Sequence, residues 1–154
     1  MASGWRGEWS YLHMDADKET LLSNAVVHGF ALGLAKLAQG KCEFCFVVTG
    51  AGSETQVTGI SEESASDQVL EQAEEYTRSL PSPFTVSVIV LVAKGVPIKG
   101  KEQDALTAMC YERGAEHGEL WAQPLRMNRR KGKYETRGEP RGIGALPNLF
   151  SSGQ

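Results

Sequence analysis

Cys42 and Cys45 form the one Cys-x-x-Cys of the chain, a spacing that can hold a metal or exchange a disulfide. Redox pairs of this kind sit where a strand feeds a helix N-terminus, whose amides lower the thiol pKa. Here the pair follows an apolar helical stretch and enters a strand pattern, so the two sulfurs should point to opposite faces. Zinc would need two further ligands, and only Cys110, His13, His28 and His117 offer themselves, with no second paired spacing. The pair therefore reads as structural, with no metal and no cofactor expected.

His28 lies among apolar residues one position before Gly29, where a histidine can serve as general base or simply sit half-buried with a polar partner. His117 follows Ala115-Glu116, and with Cys110 it supplies the parts of a nucleophilic site without a flanking nucleophile motif. These three residues are the only catalytic candidates, each weaker than its structural reading. Gly50-Ala51-Gly52-Ser53 has the small residues of a phosphate loop but none of its context, and reads as a turn. Glu54, Glu62, Glu63 and Asp67 read as solvated acidic surface.

The basic residues are a sharper signal. Arg129, Arg130, Lys131, Lys133, Arg137 and Arg141 against Glu135 and Glu139 give residues 128–154 a charge of +4, leaving −7 for the rest. Such a segment, with Tyr134 to stack a base, can pair phosphates of a nucleic acid. It can equally dock on an acidic protein surface, and the apolar Ile143, Leu146, Leu149 and Phe150 favour protein docking.

The elements that must position these residues follow from periodicity. A helix capped by Asp15 or Asp17 should run to Gly40, with Ala25, Gly29 and Gly33 forming a small-residue row. That row lets either the sheet or a second copy of the chain approach closely. Cys42–Thr49 and Thr55–Ile60 read as a hairpin, and Ser61 should open a second helix to Leu80, stopped by Pro81 and Pro83. Phe84–Lys94 is apolar on both faces, as a central strand is. Gly95–Gly100 reads as a loop, and Lys101–Arg113 as a third helix through Ala105, Leu106, Met109 and Cys110. Glu119–Met127 reads as a strand that Pro124 places at an edge or bulge. The sequence thus predicts an α+β fold: a two- or three-layer sandwich of order α-β-β-α-β-α-β, mostly a four-stranded sheet with three helices. Its parts are an aromatic segment 1–14 carrying Trp5 and Trp9, one domain over 15–127, and an extended or disordered C-terminal tail over 128–154.

That element order is similar to the core of the cytidine-deaminase-like fold over residues 17–127. The family's zinc motifs would fall at the second and third helices, where this chain has Ser61-Glu62-Glu63-Ser64 and Gly100-Lys101-Glu102-Gln103-Asp104. Neither carries a ligand, so the resemblance extends to element order and to a zinc-free or degenerate member at most.

The bulk numbers agree with one folded body. The 154 residues, 41% hydrophobic and 23% charged, suit a single domain with its own core. A net charge of −3 gives no global attraction to nucleic acid or to an anionic membrane. Three cysteines fit a reducing compartment, and no apolar run resembles a signal peptide, so a cytoplasmic location is expected. The reading that results is a non-enzymatic protein-interaction or self-associating module, expected as a homodimer through Ala25, Gly29, Gly33, Trp5, Trp9 and Phe150. A nucleic-acid-associated protein using Arg129–Arg141 is the first alternative, and a small enzyme with a histidine-centred pocket the second.

Overall fold

The computed structural model describes residues 20–150. The aromatic segment 1–14 with Trp5 and Trp9, and the capping candidates Asp15 and Asp17, lie outside them. Helix α1 spans Leu21–Ala38, and its N-cap is Thr20, whose hydroxyl accepts the Ser23 amide at 3.0 Å. Its row of Ala25, Gly29 and Gly33 faces the sheet. A Cβ on Gly29 would stand 2.9 Å from Cγ2 of Val90, and one on Gly33 2.8 Å from Cδ2 of Leu106. The missing side chains let the helix backbone settle onto the strands, so the small-residue row serves packing within the chain.

Strands β1 (Cys45–Ala51) and β2 (Glu54–Ser61) form the expected hairpin. Helix α2 spans Asp67–Arg78, later than the predicted start at Ser61. The reason is that β2 carries on through Ser61, whose hydroxyl accepts the Glu63 and Ser64 amides in a turn. Ser66 then caps α2 by accepting the Val69 amide.

Five strands follow: β3 (Phe84–Ile98), β4 (Lys101–Glu112), β5 (His117–Asn128), β6 (Lys133–Thr136) and β7 (Arg141–Pro147). The sheet runs β2-β1-β3-β4-β5-β6, with β7 also on β5, and every pair is antiparallel. The α+β class stands. The four-stranded sheet with three helices gives way to seven strands and two helices among the described residues.

The largest correction is Lys101–Glu112, predicted as a helix and found as β4. Ala105, Leu106, Met109 and Cys110 fit helical spacing, and most residues around them are helix formers. The stretch also alternates, with Leu106, Ala108 and Cys110 packed toward α1 and Met109 and Tyr111 toward α2. Ladders to β3 on one side and β5 on the other decide between the two patterns. The expected loop 95–100 is correspondingly a hairpin. Lys99 and Gly100 connect the paired Ile98 and Lys101, both at positive φ (53° and 79°), as a two-residue type I′ turn requires.

The stretch from 128 onward was expected as an extended or disordered tail, and β6 and β7 instead pair along the free edge of β5. β7 covers His117–Ala122 and β6 covers Leu125–Asn128, so Pro124 falls in the gap where no ladder amide is needed. Phe150 is buried in the chain's own second core, with the Arg113 guanidinium 4.5 Å from its ring centroid. Asn148 secures that end by donating to the Glu112 and Ala115 carbonyls at 2.9 and 2.7 Å.

The result is three layers around two main cores, with a small third cluster of Val96, Ile98, Ala105 and Ala122 at the β3–β4 turn end of the sheet. Val26 and Phe30 of α1 pack on Phe46, Val88, Val90 and Leu106. On the opposite face, Ala73 of α2 packs with Val47, Ile89, Leu91 and Tyr111. β3, apolar on both faces, is buried between them as its sequence implies.

Candidate functional site

The catalytic candidates come out dispersed. Cys45 is buried in the α2-side core and burial pushes its thiol up to about 12, whereas Cys42 is half-buried against the α1-side core. The two sulfurs thus sit on opposite faces of the sheet. Cys110 is buried beneath α1, its thiol directed at the Ala108 carbonyl (3.6 Å), and its pKa is raised by burial and then by Glu119. A thiol held protonated in this way is a poor nucleophile.

His28 is exposed on α1 with Nδ1 3.2 Å from the Thr55 hydroxyl on β2. His117 opens β5, also exposed, with Nδ1 3.1 Å from the Gly118 carbonyl oxygen. Neither is hydrogen-bonded to Cys110, whose thiol is directed at the Ala108 carbonyl, and neither lines either of the two grooves described below. Among the described residues, no three His, Cys, Asp or Glu side chains converge as a metal site would require.

The larger groove, about 470 Å³, lies between the start of α2 and the middle of β3, with Met109 of β4. Leu70, Leu91 and Met109 line it, with Glu43, Asp67 and Lys94 at the rim. Among the described residues those rim charges make no ion pair with one another, and the Ser66 hydroxyl beside them is committed to capping α2. It is an apolar dent without an arrangement for chemistry.

The six basic residues of the tail divide into two groups. Arg129, Arg130 and Lys131 belong to the exposed β5–β6 turn, and Lys133 begins β6. Arg137 and Arg141 instead line a second groove of about 280 Å³ with Lys99 and Lys101. Sequence reasoning missed these two lysines because it placed them in a loop and a helix. The available signal was the Lys99-Gly100 pair between alternating runs, since an x-Gly pair in that setting marks a two-residue hairpin. Ala25, Gly29, Gly33 and Phe150, proposed as contact residues, are buried within the chain.

Two further surfaces remain. β2 is the terminal strand of the sheet, and among the described residues no strand pairs with its outer edge. Its sequence, Glu-Thr-Gln-Val-Thr-Gly-Ile-Ser, holds one charge and no proline, and Val57 on it is 39% exposed. Alongside runs one flank of α1, located by the His28–Thr55 contact and by the Lys36–Glu62 ion pair at 3.2 Å. Between those contacts lie half-buried Leu32 and exposed Ala35. The outer side of α1 presents Asn24, His28, Ala31, Ala35 and Ala38, three of them alanines. No family profile, curated protein or solved structure matches this chain.

Proposed function

We propose that the protein is a non-catalytic interaction module that self-associates through the outer edge of β2. The observation that carries this reading is an eight-residue edge strand with no lysine and no proline, whose one irregularity is a bulge at Ile60 next to its last residue. Edges are normally protected by lysines, prolines, bulges or shortness, because unpaired amides and carbonyls template pairing with another chain. β2 has β-branched residues at Thr55, Val57, Thr58 and Ile60, which favour a strand, and its ladder with β1 is regular from Phe46 to Ala51.

A second copy is the occupant that suits this edge. Antiparallel pairing about a dyad at Val57 sets valine against valine, Gln56 against Thr58 and the single charge, Glu54, against Ile60. No like charges then face each other. The same dyad brings the two Leu32–Ala35 flanks together beside the joined sheet, adding apolar area toward the roughly 800 Å² per partner of a stable interface.

Sedimentation equilibrium on the full chain tests this. A concentration-dependent dimer is expected, and Val57→Lys, which puts two like charges on the dyad, should return it to monomer with the circular dichroism spectrum of the folded chain retained. A wild-type protein that stays monomeric through the micromolar range, or a Val57→Lys protein that still dimerises, overturns the reading.

A further inference from the structure

We infer that the groove at the far end of the sheet, between the β3–β4 turn and the β6–β7 connection, is a binding site for a compact anion carrying two or more phosphoryl groups. Four cations from two separate stretches of chain converge there: Lys99 and Lys101 on one wall, Arg137 and Arg141 on the other. The groove's one acidic lining residue is Glu139. Among the described residues, the ion pairs are Lys36 and Lys41 with Glu62 and Arg78 with Glu75, so none of the four cations is neutralised by a carboxylate. Unpaired like charges gathered in one concavity repel one another, and an anion between them removes that repulsion.

The walls are held by backbone. The Arg137 amide donates to the Pro124 carbonyl at 2.9 Å, and Nε2 of Gln123 donates to the Gly138 carbonyl at 3.1 Å. Arg141 of β7 is in register with Ala122 of β5, and Lys101 of β4 with Ile98 of β3. Cations based on strands and a tight turn are pre-positioned, so less order must be imposed on binding. Lys99 adds an independent sign. It is the one non-glycine residue at positive φ among the described residues, in a turn position that favours glycine or asparagine. A strained backbone is retained where the lysine side chain reaches the groove.

Size and charge select the ligand class. A groove of about 280 Å³ lies just below the range of drug-sized ligand sites, roughly 300 to 1,000 Å³, and so suits a small anion. Its buried apolar lining, Ile98 and Pro124, can carry the uncharged part of a small molecule. The lining residues sum to +3, which leaves −6 on the rest of the chain. A compact polyphosphate stays within the positive field of the groove, whereas a long nucleic acid would also engage the basic β5–β6 turn of Arg129, Arg130 and Lys131.

Titration calorimetry of the full-length protein at low salt, with tripolyphosphate as probe, tests the site. Saturable binding is expected. Arg137→Glu with Arg141→Glu should weaken it by about tenfold or more, the equivalent of one charge-assisted contact. Arg129→Glu with Arg130→Glu, in the β5–β6 turn, should leave it within about twofold, because neither lines the groove and exposed charges outside it are screened. Lys99→Gln, at an exposed turn tip, gives the same reading should the arginine pair fail to fold. Absence of tripolyphosphate binding, or equal loss in both arginine pairs, overturns the assignment. So does a single-stranded oligonucleotide that binds more tightly than tripolyphosphate, since that result makes the site a nucleic-acid groove.

Discussion

The Tyr134 hydroxyl donates to Oδ2 of Asp104 across 2.6 Å, joining β6 to β4 over a sequence separation of 30 residues. The ring is buried beneath α1 in the first core, so the tyrosine that seemed free to stack a base is a structural tie. Asp104 also accepts from the Gly95 amide at 3.4 Å, linking the same carboxylate to the far end of β3. Both contacts lie on the α1 side of the sheet, behind the strands that carry Lys101 and lead to Arg137.

Tyr134→Phe keeps the ring and removes the tie. Chemical denaturation should show a loss of about 1–3 kcal/mol, the usual worth of a hydrogen bond to a charged partner. Amides of β6 should exchange faster than those of β5, because the short strand loses its side-chain anchor. Unchanged stability together with unchanged exchange would mean that the β5 ladder alone secures β6.

How far these relationships could be read from residues varies by element. Helix α1, the β1–β2 hairpin and β3 are legible because each has one dominant period and clear punctuation. β4 is not, since its apolar residues satisfy two periods at once and only its neighbours decide. β6 and β7 carry glycines and charges with little apolar alternation, and they exist because β5 offers them an open edge. The cationic groove was half visible: Arg137 and Arg141 stood out by charge, but their partners Lys99 and Lys101 depend on a hairpin that propensity argued against. His28 and His117 show the converse, conspicuous in sequence and simply placed at the surface.

Buried thiols and phenols give the fold an alkaline weakness. Burial raises Cys45 from 9.0 to about 12, and Cys110, Tyr111 and Tyr134 are also raised, in each case first by burial. A group that keeps its proton in the folded state and loses it in the unfolded one makes stability fall with rising pH. The loss therefore begins near pH 9, the ordinary thiol value, and for Cys45 continues to about 12. Each such group contributes a slope of up to about 1.4 kcal/mol per pH unit. Unfolding free energies measured across that range should fall steeply, and Cys45→Ala should flatten the fall by about one group's slope. A wild-type curve flat to pH 11 would contradict the burial of these side chains.

Thr49 presents the opposite problem, a buried hydroxyl without a partner. It stands opposite Ser87 in the β1–β3 ladder, yet Ser87 is engaged with Thr77 of α2 at 2.7 Å, and Oγ1 of Thr49 is left over. An unsatisfied buried polar group costs about 1–3 kcal/mol. Thr49→Val keeps the branched shape and deletes the hydroxyl, so it should raise stability by about 1 kcal/mol. Thr77→Val, which orphans Ser87, should lower it by about 1–3 kcal/mol. The opposite signs are what thermal unfolding must show, and destabilisation by both variants would mean that Thr49 has a bonding partner.

Lys99 joins stability to binding in a single residue. An L-residue held left-handed loses about 1–2 kcal/mol relative to its ordinary conformations, a cost that glycine avoids and asparagine reduces. Lys99→Gly should therefore stabilise the protein by about 1 kcal/mol, offset in part by the greater freedom glycine has when unfolded. The same change removes one of the four groove cations, so it should weaken tripolyphosphate binding by about tenfold. A lysine there only as a turn residue would show the gain in stability without the loss in binding. Only a lysine retained for its charge, against the preference of its own backbone, gives both shifts together. Melting temperature and calorimetric affinity measured on one preparation of Lys99→Gly separate the two cases.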